Sequence, residues 1–167
     1  MSRYWPHTSY AEDQPFARSI LYTHVLTRGV QQGTIIGSGA GLITHLVRAY
    51  RNTPKTGTLP SQLLRSSGVG VAITTGLLLV GIPARMWGRE EIEWKDRSWR
   101  LLENSGQVEC DDWTYAGMLG AGVWALREGG GWTSAIGRVG TGSVVGMMGY
   151  LGWRYGVKGG WKEEAVI

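Results

Sequence analysis

At 167 residues the chain has the length of a single domain, and its composition excludes several functional classes at once. One cysteine rules out an internal disulfide or a multi-cysteine metal site, and the three histidines lack metal-ligand spacing, so no metal or cofactor is expected. The net charge of +4 comes with Lys and Arg at the ends of apolar runs, which favours an anionic membrane surface over nucleic acid.

The mean hydropathy of −0.13 averages charged clusters with segments that are nearly charge-free. Residues 1–28 read as a polar lead-in without the apolar core of a secretory signal and without the pattern of an Arg-rich transit peptide. Its last part, "FARSILYTHVLTR", places Ile20, Leu21, Val25 and Leu26 at helical spacing, as in an amphipathic helix on a surface.

Residues 29–47 and 66–84 carry no formal charge apart from a possible proton on His45. Each approaches the roughly 20 residues that a spanning helix needs. Between them, 48–65 holds four basic residues, two prolines and no acid, and reads as a loop. Residues 85–112 are strongly polar. A short interfacial helix over "REEIEWKDRSWRLLE" would offer Ile92, Trp99 and Leu102 as an apolar stripe, with the carboxylates forming a solvated face. Cys110, beside Glu109, Asp111 and Asp112, reads as an ordinary loop thiol.

Two weaker spans follow, about 113–127 and 134–154, separated by the turn signal "REGGGW". Their uncharged cores, 113–126 and 139–153, make about 21–23 Å of helix against a hydrocarbon core of about 30 Å. Arg138 falls inside the fourth segment and must snorkel or pair, with Glu128 across the turn as its expected partner. Residues 157–167 form a C-terminal tail. Trp87, Trp113, Trp132, Trp153 and Trp161 lie near the proposed span ends, where amphipathic rings prefer to sit. The predicted fold is therefore an all-α membrane protein: a domain over 29–156 with about four short glycine-striped helices packed as hairpins. Two spans plus a buried helical hairpin is the alternative.

Twenty-seven glycines need a physical reason, because glycine inside a helix in water costs about 1 kcal/mol relative to alanine. In hydrocarbon the backbone must satisfy its own hydrogen bonds, so helix is enforced, and small residues four apart let two helices touch. Gly33, Gly37 and Gly41 in the first segment, and Gly142 and Gly146 in the fourth, are the expected helix-packing residues. Ser38, Thr74, Thr75 and Ser143 are expected to add small polar contacts. Arg28, Arg48, Arg51 and Lys55 are the candidates for anionic headgroups, and His45 and Arg138 are the intramembrane polar residues. For His45 the expected state is a neutral imidazole bonded to a neighbouring helix or to water.

"IGRVGTGSVVG" approximates a dinucleotide-binding glycine loop, but only 21 residues follow Gly146, too few for the second strand that fold requires. No serine or cysteine sits in a nucleophile motif. Nothing argues for catalysis or for a small-molecule substrate.

These features carry a resemblance. Four short glycine-striped segments with polar termini and a basic first loop resemble the mitochondrial inner-membrane translocase family and the related four-span accessory subunits of respiratory complex I (NADH:ubiquinone oxidoreductase). "DDWTYAGMLGAGVWALREGGGWTSAIGRVGTGSVVGMMGYLGWRYGVKGGW" looks most like the second half of the complex I type: an acid pair, a glycine-rich span, a tight turn and a last span with a basic end. The lead-in "RYWPHTSYAEDQPFARSILYTHVLTRGVQQGTIIGSGAG" is similar to a small fungal accessory subunit. The resemblance implies a multi-pass inner-membrane protein without chemistry of its own, with both termini in the intermembrane space and residues 48–65 in the matrix. Its implied partners are other membrane subunits of complex I and phospholipids such as cardiolipin. A translocase component or small transporter is the alternative.

Overall fold

A computed structural model describes residues 4–53 and 57–159. Lys55, Trp161 and most of the expected tail lie outside the described residues. Among the described residues there are five α-helices and no strand: α1 (Ala17–Tyr50), α2 (Leu59–Arg85), α3 (Glu91–Glu103), α4 (Ser105–Glu128) and α5 (Trp132–Leu151), the last continuing as a π-helical turn over Gly152–Val157. The chain is all-helical, as the sequence predicts.

Local signals explain the boundaries. Pro15 precedes α1, and no proline interrupts residues 17–50, so the surface helix expected before residue 29 is not separate: it forms the first turns of a 34-residue rod. At 1.5 Å per residue that rod is about 51 Å long. Thr58 caps α2, its hydroxyl accepting from the Ser61 amide, with Pro60 in the first turn where a missing N–H costs nothing. Asn104 both ends α3 and caps α4, accepting from the Gln107 amide at 3.0 Å. Residues 129–131 are all glycine. Gly129 and Gly130 take positive φ (63° and 105°), which turns α4 back on α5 in three residues.

The helices form two antiparallel hairpins, α1/α2 and α4/α5, joined side by side through α2 and α5. No Cα atom of α1 comes within 8 Å of one in α4. At one end of the bundle α3 crosses the base of α1 over an ordinary apolar core. Ile20, Leu102 and Val108 form one cluster, and Ala17, Ile82, Met86 and Trp94 another. The face that α3 buries is Trp94, Ser98 and Leu102; Ile92, expected in the stripe, is 40% exposed. The reason is the lead-in, which packs on a second side of α3: the Trp99 indole N–H donates to the Thr8 carbonyl at 2.8 Å, and His7 stacks on the Trp99 ring.

Within the bundle the usual distribution of side chains is inverted. The residues α1 buries beyond its base are Thr27, Gly29, Gln31, Gly33, Thr34, Gly37 and Gly41; those α5 buries are five glycines and serines plus Tyr150. Ile35, Ile36, Ile43, Leu77, Val80, Leu119, Leu126 and Val145 face outward. By length and composition one helix among the described residues, α2, is long and apolar enough to cross a membrane.

Candidate functional site

Two kinds of contact hold the hairpins, and they separate by interface. The first is backbone on backbone. A Cβ built on Gly33 would stand 2.7 Å from the Gly70 carbonyl oxygen and from Val71 Cα; one on Gly37 would overlap the Ser66 carbonyl. The α4/α5 seam repeats the arrangement with Gly117 against Gly142 and Gly146 against the Trp113 carbonyl. The α2/α5 seam uses Gly68 against Thr133 and Gly137 against Leu64. Gly41 meets the Ser66 side chain, with the hydroxyl 2.8 Å from its would-be Cβ. All five glycines singled out by spacing therefore lie in helix–helix contacts. The small hydroxyls do otherwise: Thr74 and Ser143 donate to carbonyls of their own helices, at Gly70 and Gly140.

The second kind of contact spans α1 and α4, where no glycine seam exists. His24, Thr27, Arg28 and Gln31 occupy one face of α1 at i, i+3, i+4 and i+7; Gln107, Asp111, Thr114 and Tyr115 occupy the matching face of α4. Asp111 is 1% exposed. One of its oxygens accepts from the Arg28 guanidinium, and the other faces His24 Nδ1 at 3.2 Å. Arg28 also donates to Gln31 Oε1 at 2.7 Å, and Gln31 Nε2 reaches the Thr114 hydroxyl at 3.1 Å and the Ser143 carbonyl of α5. The Thr27 and Tyr115 hydroxyls lie 3.2 Å apart. This is a ladder of long polar side chains bridging a gap that small residues close elsewhere. A carboxylate taken out of water requires compensation, and the guanidinium supplies it.

The ladder corrects three expectations. Arg28 does not reach outward to headgroups; it turns inward because Asp111 is within reach and would otherwise be buried alone. Asp111 is not part of a solvated face. Cys110 is helical rather than a loop thiol, with its sulfur 3.8 Å from Arg28 Nη1. The register of two polar triplets at identical spacing, 24–28–31 and 107–111–114, is the sequence signal that would have revealed the pairing.

At the opposite end, His45 Nδ1 lies 3.2 Å from Gln62 Oε1, tying the last turns of α1 to the first of α2. Arg138 does not pair with Glu128: it donates to the Gly129 carbonyl at 2.6 Å, and its guanidinium sits 5.3 Å from the Trp124 ring centre, because the glycine turn brings a free carbonyl closer than the carboxylate. Arg48 is half-buried between α1 and α2, and Arg51 is exposed. Among the described residues no group of three or more His, Cys, Asp or Glu could hold a metal ion. The arrangement can clamp helices and present an apolar exterior. Comparison with protein-family models, with curated proteins and with solved structures finds no match to this chain.

Proposed function

We propose that this chain is a non-catalytic accessory subunit of mitochondrial NADH:ubiquinone oxidoreductase, with its four long helices crossing the inner membrane and its role confined to supporting the assembly and stability of the membrane arm. The observation that carries the membrane reading is the inverted bundle. Backbone, glycine and paired polar groups lie inside, while isoleucine, leucine and valine face out along all four helices. In water such a bundle would gain little from folding, since apolar burial is the main driving force there. In lipid, close backbone packing and internally satisfied polar groups are what associate helices. Assignment to complex I rests on the resemblance of the paired-acid, glycine-rich second half and of the lead-in. The α3 end, with its charged surface, would lie in the intermembrane space, and residues 48–65 at the matrix side.

The test is native gel electrophoresis of digitonin-solubilised mitochondria carrying a tagged chain. We expect the tag to co-migrate with in-gel NADH dehydrogenase activity and to resist carbonate extraction. Loss of the chain should lower the amount of assembled complex while leaving turnover per assembled complex unchanged. Migration with the protein-import machinery would replace this reading with the translocase one, and release by carbonate would refute membrane insertion.

A further inference from the structure

We propose that the outer groove between α1 and α2 holds one acyl chain of an anionic phospholipid, with the lipid phosphate between Arg48 and Arg65. The inference deepens the membrane reading above and rests on it. The groove has a volume of about 900 Å³, within the range of small-molecule sites. It runs along the outside of the seam where Gly37 and Gly70 let the two backbones touch, and it is walled by Ile36, Ala40, Val69 and Ile73. Those isoleucines are 67% and 58% exposed, so nothing among the described residues covers the walls.

Two features choose the occupant. The first is charge. Arg48 from α1, at the end nearest the α1–α2 connection, and Arg65 from α2, level with Gly41, both line the groove, and residues 48–65 contain no acid. Arg65 has no ion-pair partner among the described residues. Ser61 and Gln62, also lining the groove at this end, add hydroxyl and amide groups suited to phosphate or glycerol oxygens. The second is length. From Arg65 to Ile73 and from Ile36 to Arg48 the walls run about 12 and 18 Å along their helices, which brackets the half-thickness of a bilayer core of about 30 Å. A channel one leaflet deep, cationic at the rim and apolar below, matches the two parts of a phospholipid. Arg28 pairs with Asp111 and does not line the groove.

The experiment is native mass spectrometry of the full-length chain in detergent micelles, titrated separately with phosphatidylglycerol and phosphatidylcholine. We expect saturable binding of one phosphatidylglycerol with clear preference over phosphatidylcholine. At about 1 kcal/mol per basic residue, Arg48→Gln and Arg65→Gln should each weaken that binding about fivefold, and the double variant about thirtyfold. Ala40→Trp should block it by filling the channel. Arg127→Gln, an exposed charge on α4 outside the groove, should leave it unchanged. Equal binding of the two lipids, or equal loss in Arg127→Gln and Arg65→Gln, overturns the site even if the chain remains carbonate-resistant. A chain that folds in buffer without amphiphile would instead remove the membrane reading beneath it.

Discussion

Replacing Gly33 with alanine and, separately, Gly39 with alanine puts the glycine seams to a direct test. The two positions are six residues apart on one helix and differ in one respect. At Gly39 an added methyl meets nothing within 4 Å. At Gly33 it meets three backbone atoms of α2 at 2.7–2.8 Å, and backbone cannot rotate away. An ordinary contact begins near 3.4 Å, so the helices must part by roughly 0.7 Å along this line. A gap of that size forfeits a quarter to a half of each dispersion well. If the seam holds about as many atom pairs as one buried leucine, ~40–60 at ~0.1–0.2 kcal/mol, the loss is about 1–6 kcal/mol. Gly39→Ala should be neutral or stabilise by up to about 1 kcal/mol. Reversible unfolding by SDS in mixed micelles, followed by circular dichroism, measures both. Two variants within 0.5 kcal/mol of each other would refute the claim that glycine contacts hold α1 to α2.

The polar ladder makes a second prediction. Asp111→Asn keeps the shape but strands the Arg28 charge, and should cost about 3 kcal/mol, the low end for a broken buried pair because Arg28 is partly exposed. Arg28→Gln combined with Asp111→Asn should recover at least half of that loss; a double variant as unstable as the sum of the singles would contradict the pairing. Trp94, 7% exposed and stacked on Tyr22, anchors α3 to the base of α1. Trp94→Ala should cost about 3–5 kcal/mol in docking α3 and open the connection at 86–90 to limited proteolysis, while the glycine bundle keeps its SDS resistance.

How much of this was legible beforehand depends on whether the information is local. Glycines four apart, the absence of charge over 29–47 and 66–84 and the glycine turn at 129–131 all act within a few residues. They mark helices, turns and contact faces without knowledge of the fold. The stripe on α3 was misread because its amphipathic pattern leaves more than one face open. Whether Trp99 or Trp94 goes inward depends on where residues 4–16 lie. The expected Arg138–Glu128 pair failed because the nearest acceptor was a main-chain carbonyl that no side-chain count includes.

What the amino-acid sequence by itself determined is the helical class, the number of long helices and the surfaces where they approach closely, because periodicity and steric size are properties of each segment alone. Only the tertiary structure decided which helices become neighbours, and with that the fate of every long polar side chain. Arg28 and Asp111 lie 83 positions apart, and the matching polar spacings around them, 24–28–31 and 107–111–114, become a pairing only once the two helices stand side by side. They meet because the packing of the hairpins through α2 and α5 holds the two outer helices at a distance that long polar side chains bridge, Arg28 to Asp111 and Gln31 to Thr114 among them. Had α1 and α4 packed on glycine like the other pairs, the same arginine would have been a surface charge.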